Sequence, residues 1–352
     1  MIEFLRKRSR RLIASALYYT GILWLLAAIR FRRRAVVLMY HRVLPESEDT
    51  FSADGIIVRP ETFARQMAFL RRHFKLLSIE DLERCFAEGK PLPSRSCLVT
   101  FDDGWADNYQ YALPILREQN VPAVIFLAAD FIGTDACFWQ ERVTRSLYNA
   151  AQSGGAAGAL AERYLGSDIR SRSPAELRFL VRQAVDKLKH RPAEEIQQLE
   201  RELEAALASS SPGANSRGAD RFMTWSQVSE LARSSRVALG AHGCSHTPLT
   251  LLDEAKVASE LEESRSRIAA AIGRPITCIA YPNGNFNDTV LELTRSAGYA
   301  LGFTTDKGSV GVEDHPLALR RINIHESSTR TMPEFLCAIL LVFQRFRRAT
   351  VY

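Results

Sequence analysis

From residue 35 onward, short uninterrupted apolar runs alternate with amphipathic segments, and this rhythm constrains the fold more than any other feature. AVVLMY at 35–40, SCLVTF at 96–101 and PAVIFLAA at 122–129 are apolar almost throughout, the pattern of strands covered on both faces. Between them lie ETFARQMAFLRRHF at 61–74, a helix following Pro60, then a brief strand in FKLLS and a helix near 79–89 with Ser78 as its N-cap. WADNYQYALPILREQ at 105–119 reads mostly as helix. Such alternation argues for parallel strands with covering helices.

The rhythm breaks between about 136 and 221. That stretch reads as several helices, including 174–189 and 192–208, with Ser/Gly-rich joints at 153–158 and 209–218 and no strand. It is expected to be a helical insertion, either a lid or a passive addition. Alternation resumes with a helix at 223–234, a strand at 236–242 and a long charged helix at 253–272. A strand at 276–282, a helix at 288–297, and strands at 299–304 and 317–324 complete the series. The expected fold is α/β, a distorted (β/α) barrel of about seven strands over residues 35–330, with a helical insertion and an N-terminal hydrophobic helix.

Charge matters because it is so unevenly placed. Residues 1–34 hold nine Lys/Arg against the single acid Glu3, a net +8, whereas the whole 352-residue chain carries +6, leaving −2 for everything beyond. A body without a cationic field does not suit nucleic acid. The basic residues flank an 18-residue uncharged run, LIASALYYTGILWLLAAI at 12–29, about 27 Å long as one helix. A cleaved signal, a spanning anchor, a helix lying in the membrane interface and a buried soluble helix all compete. Membrane attachment without cleavage is favoured, with the inner membrane as the expected site and its face open. At the other end, 331–352 reads as an amphipathic helix in which FLCAILLVF (335–343) is too short to span. It either packs on the body or makes a second membrane contact. The six cysteines are scattered without a C-x-x-C pair and suggest neither a disulfide framework nor a zinc ribbon.

The residues able to do chemistry lie at strand ends. Asp102 and Asp103 follow an apolar strand in TFDDG. Adjacent carboxylates there repel and are costly to bury unpaired. A metal ion on one would relieve that cost and leave the other for proton transfer; a solvated turn is the plainer reading. His242 and His246, four apart in AHGCSHTPL just past another strand, could converge from a helical turn on zinc or a similar divalent ion. Ala280-Tyr281-Pro282-Asn283-Gly284 ends a third strand, either as a plain turn or with backbone N–H groups facing the site.

Together these pieces resemble the NodB-type polysaccharide deacetylases, carbohydrate esterase family 4, in the branch acting in exopolysaccharide biosynthesis. The resemblance rests on YHRV (40–43), TFDDG (100–104), the His242/His246 pair, AYPNG (280–284), AGYALGFTTDKG (297–308) and LALRRINI (317–324). It implies metal-dependent removal of N-acetyl groups from N-acetylhexosamine units of a polysaccharide or glycoconjugate. By this likeness Asp102 is the general base, and Asp103, His242 and His246 hold one divalent ion, zinc by preference. Asn283 and Tyr281 fall on the oxyanion and substrate side. The family's arginine beside the base is Ala280 here, so Arg321 or Arg42 is the expected substitute. His325 is the expected proton donor, with His41 as the alternative. Deacylation or deformylation of a lipid-linked saccharide, and a catalytically silent saccharide-binding scaffold, are the competing functions.

Overall fold

The computed structural model describes residues 2–188, 191–208, 219–233 and 236–343. Its strands are β1 (Ala35–Tyr40), β2 (Arg42–Val43), β3 (Ile57–Val58), β4 (Lys75–Leu76), β5 (Ser96–Phe101), β6 (Ala123–Leu127), β7 (Val237–Ala241), β8 (Cys278–Ala280), β9 (Leu301–Phe303), β10 (Ser309–Val310) and β11 (Ile322–Asn323). The chain forms two compact units.

The first unit comprises Met1–Ser47, Asp54–Asp135 and Phe222–Tyr352. Its sheet runs β10-β1-β5-β6-β7-β8-β9, with β4 paired to β5 and β11 to β1. The pairs from β1 through β9 are parallel and only β10 runs antiparallel. Residues 319–323 join the two ends of this curled sheet. Leu319 bridges Phe303 of β9, while Ile322 and Asn323 pair with Leu38 and Met39 of β1. The α/β barrel inferred from the alternation is therefore the observed fold, distorted at this seam.

Local chemistry explains most element ends. Ser78 caps the helix Ile79–Glu88 in a reciprocal box with Asp81, and Gly89, left-handed at φ 63°, closes it. Leu98, Val124, Phe126, Cys278, Leu301, Phe303 and Leu319 meet in one buried cluster inside the curl. Gly240 sits among them because a Cβ there would lie 2.5 Å from Phe126 and 2.9 Å from the Cys278 sulfur.

Several expectations need correction. The hydrophobic run at 12–29 is not one helix: Ile2–Tyr19 and Ile22–Arg30 are separate and bent by 77°. Gly21, at φ 83°, takes the left-handed turn between them. The helix expected over most of 105–119 is present but not regular: a π turn at Asn108–Ala112 precedes the α-helix Leu113–Gln119. Pro114 has no N–H to give to residue 110, so the regular ladder cannot run through. Of the strand expected at 317–324 only β11 and the Leu319 bridge pair, and the sequence pattern does not predict β2, β3 or β10. The C-terminal segment forms a helix at Met332–Ile339 with Phe335, Leu336, Cys337 and Ile339 buried, so it packs on the body. The basic residues beyond Phe343 and the joint at 209–218 lie outside the described residues.

The second unit is Glu48–Ala53 with Ala136–Arg221, built from helices Trp139–Gln152, Gly155–Leu165, Pro174–Leu188 and Ala193–Ala208. Val143, Leu147, Ala161, Val181 and Leu203 form its core, and no strand occurs among its described residues.

Candidate metal and catalytic site

Side chains alternate faces along a strand, so a residue two beyond a core position points the same way. Val37 leads to Met39 and His41, Leu98 to Thr100 and Asp102, and Leu319 to Arg321. On β7 the series runs from Ala238 through Gly240 to His242. The barrel interior thus ends, at the strands' C-terminal mouths, in a polar layer. That is where parallel α/β folds gather functional groups.

Consecutive residues of a strand would face opposite ways, yet Asp102 and Asp103 are both in this layer. Asp103 achieves it by turning left-handed, at φ 79°, followed by Gly104 at φ 86°. A side chain at Gly104 would meet Leu127 and Ile132 at 2.9 Å. The Asp-Gly pair is one the left-handed region tolerates.

Asp102 is 2% exposed, and Arg321, fully buried, grips it from both sides. Its Nη1 donates to Oδ1 at 2.6 Å and its Nη2 to Oδ2 at 2.7 Å. Nε donates to the Thr304 carbonyl at 2.9 Å and Nη1 also reaches the Thr100 hydroxyl at 3.2 Å. The second carboxylate is therefore held by an arginine rather than left free beside a metal. Burial pushes the Asp102 carboxyl up, but Arg321 and His242 outweigh it and hold the group below its ordinary range. Arg42 goes elsewhere: its guanidinium lies 4.2 Å over the Trp105 ring and bonds Asp107 at 2.8 Å.

Asp103 Oδ1 lies 3.4 Å from Nε2 of His242 and 3.4 Å from Nε2 of His246. The three ligand atoms fall within 4.8 Å of one another, a possible metal site. The surrounding bonds suit that use. His242 Nδ1 lies 2.7 Å from the Ala280 carbonyl, an acceptor only, which places the proton on Nδ1 and leaves a lone pair on Nε2. The Trp105 indole donates to Asp103 Oδ2 at 2.8 Å, leaving Oδ1 turned to the histidines. Two imidazoles and one carboxylate fit zinc with positions left open for water and substrate. Burial raises the Asp103 carboxyl, yet bonds from the two histidines bring it well below the ordinary range.

The histidines do not converge from a helical turn. His242 follows β7 directly, and His246 lies in an open loop at φ 58°. Glu260 of the helix Glu254–Ile272 shapes that loop, accepting from the Cys244 N–H at 2.6 Å and from the Ser245 N–H at 3.1 Å. Nothing in the local sequence marks Glu260, which is one acid among many on a charged helix.

His41 Nε2 stands 4.0 Å from Asp102 Oδ2, and its buried Nδ1 has no hydrogen-bond partner among the described residues. Burial lowers its pKa, and the opposing pull of Asp103 and Asp102 does not fully restore it. His325 is placed differently. It precedes the short helix Glu326–Thr329, and both ring nitrogens are engaged, Nδ1 with Ser327 at 2.9 Å and Nε2 with Ser328 at 3.0 Å. Tyr281 spends its groups on the fold: its hydroxyl donates to the Leu317 carbonyl at 2.9 Å and its N–H to Phe303 at 3.0 Å. Asn283 holds a left-handed turn at φ 59°.

Comparison with known proteins gives the family. The polysaccharide deacetylase family matches residues 89–302, well over half the chain. The chain belongs to this family. It is therefore a hydrolase of the deacetylase class. The Bacillus subtilis protein YxkH is 21% identical over 290 residues, covering 82% of this chain and 70% of that one. The poly-beta-1,6-N-acetyl-D-glucosamine N-deacetylase of Escherichia coli K12 is 31% identical over 102 residues, 29% of this chain but only 15% of that longer protein. The Streptococcus pyogenes deacetylase PplD, solved with acetate, superposes with a TM-score of 0.56 at 19% identity, covering 87% of this chain and 98% of that one. That likeness is one of fold.

Proposed function

We propose that this deacetylase removes N-acetyl groups from N-acetylhexosamine units of an exopolysaccharide, using one divalent metal ion. The observation that carries the reading is the division of labour between adjacent carboxylates: Asp103 sits with His242 and His246, while Asp102 is clamped by Arg321. When bound, a divalent cation, zinc by the chemistry of its donors, supplies a Lewis acid for the acetamide carbonyl. Asp102, ionised at neutral pH, takes a proton from the attacking water as the water oxygen bonds to the carbonyl carbon. Arg321 keeps both Asp102 oxygens fixed through that step. Asn283 offers its backbone N–H to the developing oxyanion. The neutral His41 ring relays to the departing amine, as the C–N bond breaks, the proton that Asp102 has taken from water. It stands beside Asp102, whereas the His325 ring is occupied by serines.

The test is acetate release from an N-acetylglucosamine oligomer by the full chain in detergent, with chelator and with zinc restored. Release should stop with chelator and return with zinc. Asp102→Asn and His41→Ala should each lower it by about 10²–10⁴-fold while keeping the metal. Chelator-resistant release, or full activity in Asp102→Asn, would overturn the proposal.

A further inference from the structure

The bent helix pair at the N-terminus is packed on the barrel along one face only. Ala14, Leu23 and Ala27 are fully buried. The Trp24 ring lies 4.6 Å from His73 and 5.6 Å from Phe69, both on the helix Pro60–His73. Arg11 pairs with Glu334 of the helix Met332–Ile339 at 2.9 Å. The opposite face is apolar and open: Leu12 is 66% exposed, Leu25 63% and Ile29 67%, with Tyr19 at 80%. Neither helix can cross a bilayer. Ile22–Arg30 is nine residues, about 14 Å, against a hydrocarbon core of about 30 Å. Only together, as a pair bent by 77°, do the two have the length and composition of a span, and the burial of Ala14, Leu23 and Ala27 against the barrel favours the interface instead.

Charge says what the open face meets. Ile29, Arg30, Arg32, Arg33, Arg34 and Glu313 line an open hollow of about 490 Å³ at the end of the second helix. Arg34 is taken by Glu313 and Asp314, but Arg30, Arg32 and Arg33 form no ion pair among the described residues. Three unneutralised guanidiniums beside exposed Leu25 and Ile29 match a surface with anionic headgroups over acyl chains. An interfacial Tyr at the elbow suits the same boundary.

We propose that the helix pair is a monotopic dock that seats the barrel on an anionic phospholipid bilayer. The pair lies in the plane of the interface, sinks its leucines and isoleucines into the outer acyl region, and sets its arginines on lipid phosphates.

Flotation of the full chain with vesicles of phosphatidylglycerol and phosphatidylcholine, against vesicles of phosphatidylcholine alone, tests this. The expected result is at least tenfold stronger binding to the anionic vesicles, weakening as salt rises. Leu25→Asp/Ile29→Asp and, separately, Arg32→Glu/Arg33→Glu should each lower that binding at least tenfold with unchanged circular dichroism. No binding by the parent chain, equal binding to both vesicle types, or undiminished binding by either variant overturns the proposal. So does a parent that is dimeric without lipid and becomes monomeric in the aspartate variant, because a second copy would then cover the face. Acetate release in detergent is read in parallel. The variants lie outside the catalytic layer and should retain it, so failure of the dock and failure of the deacetylase reading are distinguishable.

Discussion

Arg321→Met would strip a buried carboxylate of its partner, and its consequence depends on pH. Asp102, 2% exposed, would lose the bonds at 2.6 and 2.7 Å, and the Thr304 carbonyl would lose its donor. Removing one member of a buried ion pair typically costs about 3–5 kcal/mol, a large part of the roughly 5–15 kcal/mol that holds a domain together. In the parent the folded Asp102 pKa is depressed, so its contribution is present above the unfolded value and fades as pH falls through the folded one. In Arg321→Met burial dominates and the folded pKa rises above the unfolded value, so acid favours the folded variant relative to neutral pH. The stability gap should therefore be widest near pH 7.5 and shrink toward pH 5. Urea unfolding midpoints at the two pH values, in chelator so that metal binding does not contribute, measure it. Adding Asp102→Leu to Arg321→Met removes the stranded charge and should recover much of the loss. Equal midpoints for parent and Arg321→Met, or a gap that does not narrow in acid, would refute the reasoning.

Two other substitutions probe how the site is supported. Glu260→Ala removes the acceptor for the Cys244 and Ser245 N–H groups between the two histidines, and should weaken zinc binding by about 10–100-fold in a competition titration with a chromophoric chelator; unchanged affinity would mean the loop holds its own shape. Gly240→Ala would press a Cβ to within 2.5 Å of the Phe126 ring, an overpacking that should cost about 1–3 kcal/mol and lower the thermal midpoint without touching a ligand. A variant melting with the parent would show that Phe126 can swing aside.

The barrel class was legible because strands covered on both faces must be apolar along their whole length, as AVVLMY and SCLVTF are. The polar residues that end such runs announce themselves by interrupting them, which is why Asp102 and His242 could be singled out, whereas His41 entered only through the family resemblance. The His pair carried the right atoms but not the right backbone, because a spacing of four is compatible with helix and loop alike. Only the φ of 58° at His246 and the cradle made by Glu260 distinguish them. The uncharged run at 12–29 concealed its own break, since Thr20-Gly21 brings no charge into it, while Gly21 turns left-handed.

What the sequence determined by itself was local: which segments pair or coil, where they stop, and which side chains are left at the stops. What the tertiary structure alone decided was partnership. Arg321 is 219 residues from Asp102 along the chain, and two arginines were equally eligible to hold that carboxylate. The seam at 319–323, which bridges β9 and β1, carries Arg321 to the barrel mouth, while Arg42 is drawn to Asp107 and Trp105. Similarly, direct pairing of β1 with β5, Tyr40 opposite Phe101, puts His41 at 4.0 Å from Asp102, while His325 is left among its serines. Periodicity fixes the face on which a side chain emerges, but the distance between two side chains on different strands is set by the curvature and closure of the sheet, and no local pattern encodes those.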